Sequence, residues 1–165
     1  DNMGETLIRW AKQTADRPKL TQARAALEKA LAIRQEVARE APEKPLFRAG
    51  VLNTRANIAN VDATLSEWDS KYTRAATLFG EAADLIQQTY SIHIKQYARP
   101  DRLLQAVELL RSSAAGYRKS GQATMARAQL EHALKLLHDN SAQFDAKIYD
   151  TVVREVTHDY DAIQL

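Results

Sequence analysis

Apolar residues recur along this chain at three- and four-residue steps for most of its 165 positions. That spacing places them on one face of successive α-helices, and sustained alternation of the strand type is absent. The pattern predicts seven helices. The first covers about Glu5–Asp16, with Leu7, Ile8, Trp10, Ala11 and Ala15 on its stripe, and Arg17-Pro18 breaks it. Thr21 is the expected cap of a second helix running to about Arg39. Ala41-Pro42-Glu43-Lys44-Pro45 is a connector. Helices then follow over about Leu46–Glu67, Lys71–His93, Asp101–Lys119, Gln122–His138 and Ala142–Ile163. Gly121 is a helix stop, and Asp139-Asn140-Ser141 reads as a turn and cap.

A second pattern overlies the first. Ala23, Leu27, Ala30 and Leu31 are matched by Ala75, Phe79, Ala82 and Ala83, and again by Ala126, Leu130, Ala133 and Leu134. The leading alanines are 52 and 51 residues apart. A unit repeated at fixed spacing cannot cover its own apolar face, so copies stack and bury it together. Ala lets two helices approach closely while Leu or Phe fills the groove beside it. The expected architecture is a single all-α domain over residues 1–165. Its antiparallel hairpins cover about 4–40, 46–93 and 101–138, and a capping helix covers about 142–163. The many acids of that last helix, among them Asp145, Asp150, Glu155, Asp159 and Asp161, suit an outward-facing cap.

The third hairpin resembles a tetratricopeptide repeat through Ala114, Tyr117, Gly121, Ala126, Leu130, Ala133 and Leu134. The second matches at Ala63, Ala75, Phe79, Ala82 and Ala83, with Ser70 in the place of Gly. The first matches in its second helix alone, with Pro18 near the expected Gly. The repeat spacing here exceeds that family's usual length of about 34 residues. The resemblance implies a stack whose first helices line a concave groove. By position that groove takes Asn57, Asn60, Thr64, Glu67 and Trp68 from one hairpin, and Glu108, Arg111, Ala115, Arg118 and Lys119 from the next. Asn side chains there would hold a peptide backbone, and Arg or Lys its carboxylates. Each has a plainer reading: Arg118 and Lys119 are cations at a helix C-terminus, and Trp68 and Trp10 are packing residues.

Composition narrows the function. Twenty-three basic and 21 acidic side chains leave a formal charge of +2, with no run of five like charges, so no nucleic-acid-binding face is expected. No cysteine is present, which removes disulfides, thiolate metal sites and Cys nucleophiles. No stretch approaches the roughly 20 apolar residues of a membrane span. The reading is a soluble chain without membrane insertion, cytoplasmic or exported, and its start at Asp1 suits a mature or excised domain. Phosphate-binding loops, nucleophile elbows and zinc-protease motifs are missing, so neither an enzyme nor a cofactor is expected. Glu155 and His158 have metal-ligand spacing, but a carboxylate-bridged dimetal bundle needs two such pairs and two further Glu. The expected function is a scaffold that holds a peptide or protein partner, with self-association through the first hairpin as a further possibility. The alternative is a small-molecule sensor or delivery domain with Tyr72, Phe79, Tyr97 and Tyr117 around a cavity.

Overall fold

A computed structural model gives the protein's architecture and describes residue 14 and residues 16–93 and 100–163. The first expected helix and Tyr97 lie outside the described residues. Six α-helices are present: α1 Arg17–Glu40, α2 Pro45–Trp68, α3 Tyr72–His93, α4 Pro100–Lys119, α5 Ala123–Asp139 and α6 Ala146–Asp161. A 3-10 turn, Ser141–Gln143, precedes α6, and no strand occurs among the described residues.

Two helix starts differ from the expectation. Asp16, not Thr21, caps α1 by accepting a hydrogen bond from the Lys19 amide at 3.1 Å. Pro18 sits in the first turn, where its missing N–H costs nothing, so it opens the helix. Thr21 is already helical, and its hydroxyl donates back to the Arg17 carbonyl. At the other end Asp145 caps α6 by accepting from the Lys147 and Ile148 amides, so the last helix begins later than Ala142.

All extensive helix packing is between sequence neighbours: α1 on α2, α2 on α3, and so on to α5 on α6. This is an all-α stack in chain order, the expected class. The main core runs through α2 to α6, with Ala75, Phe79, Ala82, Ala83, Ala126, Leu130 and Ala133 buried. Leu20 and Val61 centre a smaller cluster between α1 and α2, with Leu27, Leu65 and Trp68 against it. In α1 the repeat is only partly covered: Ala23 is buried, but Leu27, Ala30 and Leu31 are half-buried. Among the described residues α1 has one packed neighbour, so the same side chains that are buried in α3 and α5 meet solvent there.

The hairpin turns repeat as well. Between α2 and α3 the Ser70 amide donates to Glu67 and the Lys71 amide to the Ser66 carbonyl, at 2.9 and 2.8 Å. Between α4 and α5 the Gly121 amide donates to Arg118 and the Gln122 amide to Tyr117, at 3.0 and 2.9 Å. Both are Schellman closures, which require a left-handed residue. Ser70 has φ 58° and Gly121 φ 76°, and they stand 51 positions apart, the spacing of Ala75 and Ala126.

Polar ties link helices two apart in sequence at nearly the same period. Lys119 reaches Glu67 across 52 positions, Arg102 reaches Asn53 across 49, and Arg111 reaches Asp159 across 48. On the opposite side Gln122 reaches Thr73 across 49. Helices α2, α4 and α6 therefore share one face of the stack.

Candidate functional site

The residues expected to line a groove lie along that face, but most are engaged internally. Asn57 and Thr64 are 6 % and 2 % exposed, so the expectation that they meet a partner is corrected: they lie inside the helix packing. The Thr64 hydroxyl donates to the Asn60 carbonyl at 2.8 Å. Glu67 and Lys119 form an ion pair at 2.7 Å, and the Lys119 ammonium lies 5.3 Å from the Tyr72 ring centroid.

Arg111 is the electrostatic centre of the face. Its Nε donates to Asp159 at 2.7 Å, and its Nη1 donates to Glu155 and Glu108 at 2.8 and 3.0 Å. Burial alone would lower its pKa; the carboxylates of Asp159 and Glu108 more than offset this and raise it. This cation bolts α6 onto α4. Glu155, the candidate metal ligand, is thus an ion-pair partner, and no group of three or more potential metal ligands occurs among the described residues. Arg118 is exposed, at the lip of a niche of about 80 Å³ that also involves Ala115, Leu130 and Ile163. That niche admits only a few atoms.

The aromatic cavity is not where it was expected. Phe79 and Tyr117 are buried in the packed core, and the Tyr117 hydroxyl lies 3.3 Å from that of Thr77. Tyr117 borders an open cleft of about 320 Å³ whose lining includes no other Phe, Tyr or Trp, and a second space opens at the end of the stack away from the Ser70 and Gly121 turns. There α1 to α4 enclose a pocket of about 350 Å³, with Val37, Leu46 and Phe47 on one side and Arg34, Asn53, Tyr90 and Arg102 among its polar lining. Arg34 is set by α2: its Nη1 donates to the Thr54 hydroxyl at 2.6 Å and to the Gly50 carbonyl at 3.1 Å. Thr54 is buried and donates in turn to Gly50, fixing the acceptor. The Arg102 Nη1 donates to Asn53 and Gln105. The Tyr90 hydroxyl is buried with no hydrogen-bond partner among the described residues, and burial pushes its pKa up.

None of these pocket residues stood out in the sequence. Arg34 lies on the polar side of an ordinary amphipathic helix, and its link to Thr54 joins two helices across a proline connector. A polar Thr at a position that the helical period places inward was the available signal.

Comparison with protein-family models, curated proteins and solved structures gives no match. The fold defines a class: an all-α stack of helical hairpins with a self-neutralised polar seam on one face and a pocket of about 350 Å³ among its clefts. Among the described residues no helix is long and apolar enough to cross a membrane.

Proposed function

We propose that this chain is a non-enzymatic interaction module, similar to tetratricopeptide-repeat domains, that docks a peptide or protein partner across the face of α2, α4 and α6. The observation that carries this reading is the rigid polar seam. Ion pairs at Glu67–Lys119 and at Arg111 hold side chains at fixed spacing, and Arg118 stands beside them in solvent. A preformed face loses less side-chain freedom on binding, one of the costs that association must offset. The partner contacts assigned to the seam are Asn60, Glu67, Glu108, Arg111, Arg118 and Lys119.

The test is affinity capture by the whole chain with mass spectrometry, followed by the same capture with Arg118→Glu and Asn60→Ala. Circular dichroism checks that both variants remain folded. The reading expects a partner that the parent retains and Arg118→Glu releases. If both folded variants retain the same partner equally, the seam is not its docking surface.

A second reading is favoured by the pocket at Arg34. Its volume of about 350 Å³ falls at the low end of the range for small-molecule sites. It would make the chain a sensor or delivery domain with its ligand beyond the aromatic core rather than within it.

A further inference from the structure

The chemistry of the pocket narrows what it would hold. Arginine carries five N–H donors in a planar fork. Arg34 uses Nη1 for Thr54 and Gly50, both neutral oxygens, and no carboxylate forms an ion pair with it among the described residues. Its Nε and Nη2 make no hydrogen bond among the described residues, and together they are the edge that matches a carboxylate bidentately. The guanidinium is therefore held at one corner and open along one side. Arg24 and Arg111, by contrast, are already met by acids.

Tyr90 adds an independent sign. It is 5 % exposed and lines the same pocket, yet its hydroxyl has no partner among the described residues. A buried hydroxyl left without a hydrogen bond costs about 1–3 kcal/mol. A ligand that reaches this hydroxyl would supply the acceptor it lacks. Phe47, Val37 and Leu46 give the pocket an apolar part, and Leu46 is 51 % exposed although it heads a core helix.

We propose that this pocket binds a small monocarboxylate with a compact apolar body. The carboxylate sits on the Nε and Nη2 edge of Arg34 within reach of the Tyr90 hydroxyl, and the body packs on Val37, Leu46 and Phe47. The open edge of Arg34 and the Tyr90 phenol match a planar, singly charged group, and the pocket's second arginine, Arg102, is already engaged by Asn53 and Gln105. A phosphate, with more charge and more oxygens, would leave acceptors unmet. Thr54 is a positioning residue that fixes the guanidinium plane. The proposal rests on the small-molecule reading of the pocket and is independent of partner docking at Arg118.

The experiment titrates the whole chain with 4-phenylbutyrate, 4-phenylbutyramide and phenyl phosphate, following amide shifts by NMR and heat by calorimetry. The acid should shift pocket residues, and the amide should bind about tenfold more weakly, the worth of a charge-assisted hydrogen bond. Arg34→Gln should weaken the acid by about tenfold without changing the amide. Arg34→Lys keeps the charge and loses the fork, and decides the point if the Gln variant fails to fold. Thr54→Val should weaken the acid and spare the amide. Equal binding of acid and amide keeps a small-molecule pocket but overturns the carboxylate assignment. Preference for phenyl phosphate overturns it too. No shift at pocket residues with any probe overturns both the assignment and the small-molecule reading beneath it.

Discussion

Two glycines in the middle of helices separate packing from propensity in this fold. In an exposed helix interior, Gly→Ala stabilises by about 1 kcal/mol because Gly loses more backbone freedom on folding. Gly80 in α3 has room: an added Cβ would meet the Gln129 and Ser113 side chains at 3.5 and 3.6 Å, ordinary contact. Gly116 in α4 has none: the Cβ would lie 3.0 Å from both the Ala76 Cβ and the Tyr72 carbonyl oxygen. The Ser113 hydroxyl donates to the Ala76 carbonyl at 2.8 Å one turn earlier, so α3 and α4 cannot part freely. Overpacking of this kind costs about 1–3 kcal/mol. Set against the propensity gain, Gly116→Ala should lower stability by up to about 2 kcal/mol while Gly80→Ala raises it by about 0.5–1 kcal/mol. For a domain this size each kcal/mol moves Tm by about 2–4 °C. Urea and thermal melts followed by circular dichroism read both. If Gly116→Ala is stabilised as much as Gly80→Ala, α3 and α4 are not in the close contact on which the alanine-notch argument rests.

Ser70→Gly should stabilise the chain by about 1 kcal/mol, because a non-glycine residue in the left-handed region carries about 1–2 kcal/mol of strain; Gly121→Ala should cost about as much, and denaturant melts check both. Arg111→Met leaves Glu108, Glu155 and Asp159 facing one another. It should destabilise by about 1–3 kcal/mol and expose α6 to faster hydrogen exchange than α3. Tyr90→Phe should raise Tm by removing an unmet hydroxyl, while weakening the phenylbutyrate affinity measured by calorimetry. The Asp69 pKa is lowered, first by its hydrogen bond from Arg17 and then by that from Lys71. Its folded value lies below the ordinary carboxylate value of 3.8, so its stabilisation is complete above that pH and drains away below it. Asp69→Asn should lower the plateau near neutrality slightly and flatten the acid limb of a stability–pH curve, because the contribution that acid removes is then already absent.

Much of the architecture was legible because it rests on local rules. Helical spacing placed α2 to α5 within one or two residues, since Pro45, Pro100 and Gly121 punctuate the chain where backbone chemistry demands. The repeated Ala pattern marked the buried notches in α3 and α5. It was less informative in α1, where burial depends on how many helices pack on that face. The α6 start was misread because Asn140 and Asp145 are both good caps, and choosing between them needs the 3-10 turn. Side-chain pairing was the least visible. Asn57 and Thr64 are polar yet buried. Two partners of Arg111, Glu155 and Asp159, sit on a helix more than 40 positions on, and a single sequence carries no record of that distance.

The two ends of the stack are finished differently, and this bears on what the pocket does. At the α6 end Val156 is buried and the acids face outward, with Arg111 securing the helix. At the α1 end Ile33 is 64 % exposed and Val37 and Leu46 lie in the open. In a stack stabilised by nearest neighbours, an element with one packed side is held least. The first half of α1 has Leu20 in a core cluster and Arg24 paired with Asp62. Its second half has little beyond Arg34, tied to Thr54 and Gly50. That same arginine is the proposed carboxylate anchor, and Val37 one turn on is part of the pocket wall. A ligand there would bridge α1 to α2, and its binding energy would add directly to the docking of this half of α1. Saturating phenylbutyrate should therefore slow amide exchange in residues 33–40 more than in α5. Uniform slowing along the chain would mean that α1 opens only when the whole stack does.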